Sequence, residues 1–124
     1  MIQNHLTKGI TVPHCIIEYA KEFESDIAPS AFIKAVHQGA VASALFDESH
    51  IKTRTHAVEH YQVGTDDSRF IHITAHILSG RSVEQKAQLS AHILSQLQAL
   101  ALTAVVITVQ ICDIERDTYT KVVL

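Results

Sequence analysis

The chain has 124 residues, 47% of them hydrophobic and 19% charged, which suits a single globular domain able to bury a core without staples. Its formal net charge of -3 offers no long-range attraction to phosphates or to an anionic bilayer, so neither nucleic acid nor membrane is expected as a partner. No stretch reaches the roughly 20 apolar residues of a membrane helix, and residues 1–12 lack the pattern of a signal peptide, so a soluble cytoplasmic protein is expected.

Residues 14–19 form a short apolar run around Ile16 and Ile17, long enough for a buried strand and too short for a helix. Pro29 then sits where a first helical turn tolerates proline, and Phe32, Ile33, Val36 and Ala40 follow at helical spacing, which predicts a helix over 29–45. Over 51–63 the β-branched and aromatic content rises, and Gly64-Thr65-Asp66-Asp67-Ser68 supplies turn chemistry before 70–78; the two runs are expected to pair as an antiparallel hairpin. In the second run Ile71, Ile73, Ala75 and Ile77 alternate with His72, Thr74 and His76, the period of a strand with unlike faces.

Ser82 with Gln85 three residues later is a capping-box pattern, and Leu89, Ile93, Leu97 and Leu100 form one helical stripe behind it. Residues 104–114 predict a last strand, with Val105, Ile107, Val109 and Ile111 on one face and Val106, Thr108, Gln110 and Cys112 on the other. Residues 115–124 read as an arm. Cys15 and Cys112 both fall in strand-like runs and are expected in the core as reduced thiols.

The order is strand, helix, strand, repeated once: an α+β fold in which two βαβ units, each with a right-handed crossover, build a four-stranded mixed sheet with two helices on one face. Two helices leave the opposite face uncovered, and self-association is the simplest cover. Nine histidines are many for this length, and a hairpin turning near Thr65 would set His56 against His76 and His60 against His72. Cross-strand pairs two pleats apart do not converge on one point, so no metal site is expected.

The segment Pro13-His14-Cys15-Ile16-Ile17-Glu18-Tyr19 resembles the mature amino terminus of the 5-carboxymethyl-2-hydroxymuconate isomerases of the tautomerase superfamily. The likeness continues through Ile51-Lys52-Thr53-Arg54-Thr55-His56, Phe70-Ile71-His72-Ile73-Thr74, Gly80-Arg81-Ser82 and Asp117-Thr118-Tyr119-Thr120-Lys121. It implies a tautomerase-like trimer and a cofactor-free isomerase that moves a proton in a 2-hydroxymuconate-type acid, a small di- or tricarboxylate. In the family that acid is 5-carboxymethyl-2-hydroxymuconate, an intermediate of homoprotocatechuate breakdown.

Pro13 matches the family's amino-terminal catalytic proline, and Arg81 its substrate-directed arginine at the start of the second helix. The other cationic position reads Ile-Arg-x-Arg in the family, where this chain has Ile51-Lys52-Thr53-Arg54, so the resemblance assigns substrate binding to Lys52 or Arg54. Lysine keeps the charge but loses the planar fork that grips a carboxylate.

A free proline amine can carry a proton from one carbon to another, whereas within a chain the same nitrogen is an amide with its lone pair delocalised. Residues 1–12 are therefore expected to be an extension in front of a domain at 13–124. Val12 is what a GTG start codon read as an internal codon would give, and a native start at Pro13 is the corresponding expectation. The competing expectation is a non-catalytic trimer of the same fold, acting as a binding or structural protein, with the extension closing the old pocket.

Overall fold

The computed structural model of the chain describes residues 12–124. Its elements are β1 (His14–Ala20), α1 (Pro29–Ala42), β2 (Lys52–Val58), β3 (Arg69–Leu78), α2 (Val83–Gln98) and β4 (Val105–Ile114), with short 3-10 turns at Lys21–Ser25, Glu48–His50 and Arg116–Thr118. The expected α+β arrangement is present, as one four-stranded mixed sheet in the order β2-β1-β3-β4. β1 runs parallel to β2, β3 parallel to β4, and the two units meet where β1 and β3 pair antiparallel.

The hairpin expected between 51–63 and 70–78 does not form, because β1 lies between β2 and β3. The reason is burial. β1 carries Cys15, Ile17, Tyr19 and Ala20, all at most 2% exposed, and takes a central place, whereas Lys52-Thr53-Arg54-Thr55-His56 is too polar for anything but an edge. The histidine pairs change with the order. His76 faces His14, His72 and His56 flank Glu18 from opposite sides, and His60 lies beyond the end of β2. Among the described residues no group of three or more His, Cys, Asp or Glu side chains is disposed to hold a metal ion.

One face of the sheet holds the core. Cys15, Ile17 and Tyr19 of β1 and Ile71, Ile73, Ala75 and Ile77 of β3 meet Phe32, Val36 and Ala40 of α1 and Leu89, Ile93 and Leu97 of α2. Each large side chain among these contributes about 1.5–3 kcal/mol through burial. Cys15 is wholly buried, and burial pushes its thiol pKa up to about 12, which makes it an inert core residue. Cys112 departs from the expectation, standing half-buried on the opposite face opposite His76.

Helix α1 ends three residues before the expected boundary. Ala44 takes a left-handed φ of 59°, and the Ser43 hydroxyl donates to the Ala40 carbonyl while accepting from the Leu45 N–H. Helix α2 has the expected start, with reciprocal Ser82 and Gln85 capping bonds. No helix among the described residues is long and apolar enough to cross a membrane.

The helices cross at Gly39, where an added Cβ would stand 2.6 Å from the Ile93 Cα and 2.9 Å from its amide nitrogen. Backbone cannot swing aside as a side chain can. Gly39→Ala is therefore expected to lower stability by about 1–3 kcal/mol through forced separation of the helices. Urea unfolding checks this, and an unchanged midpoint would show that the crossing can widen freely.

Candidate active site

Topology gathers the expected site residues at one end of the sheet, where β1 and β2 begin and β3 ends. Pro13 is fully buried and Val12, ahead of it, is 1% exposed. The Lys52 N–H donates to the Pro13 carbonyl at 3.1 Å, so the proline is fixed by the edge strand's first residue. Its nitrogen, acylated by Val12, is an amide without basicity.

Alternation along β1 turns His14 to the uncovered face, and strand register supplies its neighbours. Lys52 and His76 flank it, Cys112 completes that row, and Arg54 stands one pleat further along beside Ile16. His14 Nε2 lies 2.8 Å from the Tyr119 hydroxyl, and Arg54 reaches within 3.4 Å of its Nδ1. Burial first, and then the charges of Lys52, Arg54 and His76, lower the His14 pKa, so the ring stays neutral near pH 7. The Lys52 ammonium donates to the His50 carbonyl at 2.8 Å, and its pKa is lowered by burial and secondarily by Lys121.

Arg81 lies at the same end, between Gly80 and the capped start of α2. Its guanidinium donates to the Leu45 carbonyl at 2.8 Å and stands 5.9 Å from the centre of the Phe46 ring. It forms no ion pair with Glu84 among the described residues. The structure thus joins Pro13 to Lys52 directly and puts Arg54 on the same face, while the contacts of Arg81 are with the α1–β2 connection. Sequence reasoning named no role for His14 or Tyr119. The signal for His14 was its place beside Pro13 on the face opposite Cys15, but Tyr119 is 105 positions away and no periodicity links the two.

A concavity of about 550 Å³ opens at the far end of the sheet and is lined by Glu22, Glu59, His60, Tyr61, Asp66 and Asp67 among others. Four carboxylates make it unfavourable for an anionic substrate. The cationic end beside Pro13 is the better candidate for a carboxylate-bearing acid.

A family model for 5-carboxymethyl-2-hydroxymuconate isomerase matches residues 13–121. The chain belongs to that isomerase family. Solved structures agree on the fold. A 5-carboxymethyl-2-hydroxymuconate delta-isomerase superposes with a TM-score of 0.79 at 17% identity, covering 95% of this chain and 91% of that one. A 5-carboxymethyl-2-hydroxymuconate isomerase from Deinococcus radiodurans R1 gives 0.67 at 20% identity, over 90% of each chain. A fused 4-OT solved as a symmetric trimer gives 0.67 at 19% identity, covering 84% of this chain and 88% of that one. No protein of curated function matches the chain significantly. The family match begins at Pro13, which leaves residues 1–12 ahead of the matched region.

Proposed function

We propose that this chain is a cofactor-free isomerase that shifts a proton within a 2-hydroxymuconate-type unsaturated acid, with 5-carboxymethyl-2-hydroxymuconate of homoprotocatechuate breakdown as its substrate, in the cytoplasm. The observation that carries this reading is the set of cations at the Pro13 end of the sheet, where Lys52 and Arg54 share one face and Lys121 lies close enough to Lys52 to influence its ionisation. In the proposed reaction Pro13, as the amino-terminal residue of a domain at 13–124, takes a proton from the substrate to leave a dienolate and returns it to a different carbon. No electrons are exchanged and no water is consumed. Arg81 and Lys52 or Arg54 hold the carboxylates and stabilise the spreading negative charge.

The test is an ultraviolet assay of a chain beginning at Pro13, run in deuterium oxide on 5-carboxymethyl-2-hydroxymuconate and on 2-hydroxymuconate. Isomerisation with deuterium entering one carbon supports the reading, and no turnover of either acid removes it. One observation favours a second reading for the 124-residue form. Val12 packs in the core and Pro13 is both buried and acylated, so that form has the fold without its base and would serve as a binding or structural protein.

The proposed assembly is a homotrimer. His14, Ile16, His72, Thr74 and His76 are each only half-buried on the face that no helix covers, and burying it between copies is the simplest cover. A trimer in sedimentation at micromolar concentration is the expected result, and a monomer would refute it.

A further inference from the structure

We infer that His14 and Tyr119 are positioning residues that hold the Arg54 guanidinium as the carboxylate-gripping group of the substrate site, in place of Lys52. This rests on the isomerase reading above and specifies which cation selects for the substrate's second carboxylate.

The inference begins with donor and acceptor roles. A guanidinium has five N–H donors and no acceptor, so the nitrogen of His14 that faces Arg54, Nδ1, must present its lone pair. In a neutral imidazole the proton then sits on Nε2, which donates to the Tyr119 oxygen at 2.8 Å. Arg54, which has donors only, thereby sets the tautomer, and the Tyr119 oxygen accepts from Nε2 and holds the ring in the orientation that turns Nδ1 toward Arg54. The groups facing His14 suit the neutral ring: Lys52 and Arg54 from β2, His76 from β3 and Tyr119 from the carboxy-terminal segment, with Glu18 four residues along β1 and Cys112 at the end of the row. A protonated His14 would place a donor against Arg54 and add a cation beside Lys52.

Arg54 and Lys52 differ in what each has left to offer. Lys52 is half-buried, already donates to the His50 carbonyl, and lies where burial and Lys121 disfavour its charge. Arg54 is exposed and spends one guanidinium nitrogen on His14. The rest of its fork remains to meet two carboxylate oxygens at once, which an ammonium cannot do. The long 3.4 Å contact restrains the guanidinium's direction without engaging the whole group. The carboxy-terminal arm acquires a role as well, since Tyr119 lies just past the 3-10 turn Arg116–Thr118 that brings it back to β1.

The test uses two probes with the same conjugated six-carbon skeleton: trans,trans-muconate, with a carboxylate at each end, and sorbate, with one. Their binding by the 124-residue chain and by a chain beginning at Pro13 is measured by titration calorimetry. Arg54→Gln is expected to weaken muconate by about 10- to 100-fold and sorbate by less than about 2-fold. His14→Leu and Tyr119→Phe should weaken muconate alone, by about 3- to 10-fold, and His14→Asn should recover most of the loss because its side-chain oxygen takes the place of Nδ1. Imidazole nitrogen NMR should show the Nε2–H tautomer in the parent and a mixture in Arg54→Gln, whose amide can either donate or accept. Losses that are equal for the two acids, no rescue by His14→Asn, or a muconate loss on Lys52→Met but not on Arg54→Gln would each overturn the inference. A parent that binds neither acid removes the dicarboxylate reading and this inference together, whereas a parent that binds muconate with Arg54→Gln unchanged removes the inference alone.

Discussion

A chain beginning at Pro13 is expected to isomerise 2-hydroxymuconate-type acids about 10²–10⁴ times faster than the 124-residue chain, the usual contribution of a positioned general base. The difference is one of bonding. In the longer chain the proline lone pair is delocalised into the Val12 carbonyl and cannot take a proton at any physiological pH. Freed, it is a secondary amine at the end of the sheet where β2 carries Lys52 and Arg54, and cations at that end draw an amine's pKa down from the ordinary α-amino value of about 8. The unprotonated form is the active one, so the rate should rise with pH through that lowered pKa and then level off. Loss of Val12 also opens space next to the nitrogen, since that side chain is 1% exposed in the longer form. Its removal forfeits about 1.5–3 kcal/mol of burial, which a free terminus can recover in part by ordering substrate there. Rates are compared on equal concentrations of folded protein. Equal activity of the two forms would exclude proline as the base, and a Val12 codon other than GTG would remove the start-site explanation while leaving the chemistry intact.

Local features of the fold were the most legible in the sequence. The Ser82–Gln85 capping box, the Leu89-Ile93-Leu97 stripe and the alternation from Ile71 to Ile77 each depend on residues within a few positions of one another, and each is present, although Leu100, read onto the same stripe, lies beyond the helix end at Gln98. Strand order was not legible in that way. The turn chemistry at Gly64-Thr65-Asp66 suggested a hairpin, yet it belongs to the ten-residue connection that carries the chain past β1. Turn residues report that a chain reverses, whereas the neighbour it reverses onto is set by which strand most needs burial. The polar character of Lys52-Thr53-Arg54-Thr55-His56 held that information, since a strand so poor in apolar residues belongs at an edge. The same limit applied to the site. Lys52 and Arg54 could be placed on one face from spacing alone, but the restraint on Arg54 comes through His14 from Tyr119, across 105 positions.

Arg81→Ala, made in the chain beginning at Pro13, is expected to lower kcat/KM by about 10²–10³, the typical cost of removing one donor to a developing anion. The environment explains why stability should change much less. Arg81 is half-buried, gives one hydrogen bond to the Leu45 carbonyl and stands 5.9 Å from the centre of the Phe46 ring, contacts that together contribute about 1–2 kcal/mol. Neither contact exhausts a guanidinium with five donors, so fork capacity remains for a carboxylate or a dienolate oxygen arriving beside the capped start of α2. The Leu45 bond serves as the tether: it fixes the arginine's direction against the α1–β2 connection, as a preorganised electrostatic group requires. Arg81→Lys distinguishes charge from shape, because it keeps the cation and loses the fork. An activity between parent and Arg81→Ala, with kcat falling as well as KM rising, would assign the guanidinium to the transition state. Should Arg81→Ala melt far below the parent yet retain its kcat/KM, Arg81 is a strut between the β3–α2 turn and the Leu45–Phe46 segment, and the anion must be held by Lys52 and Arg54 alone.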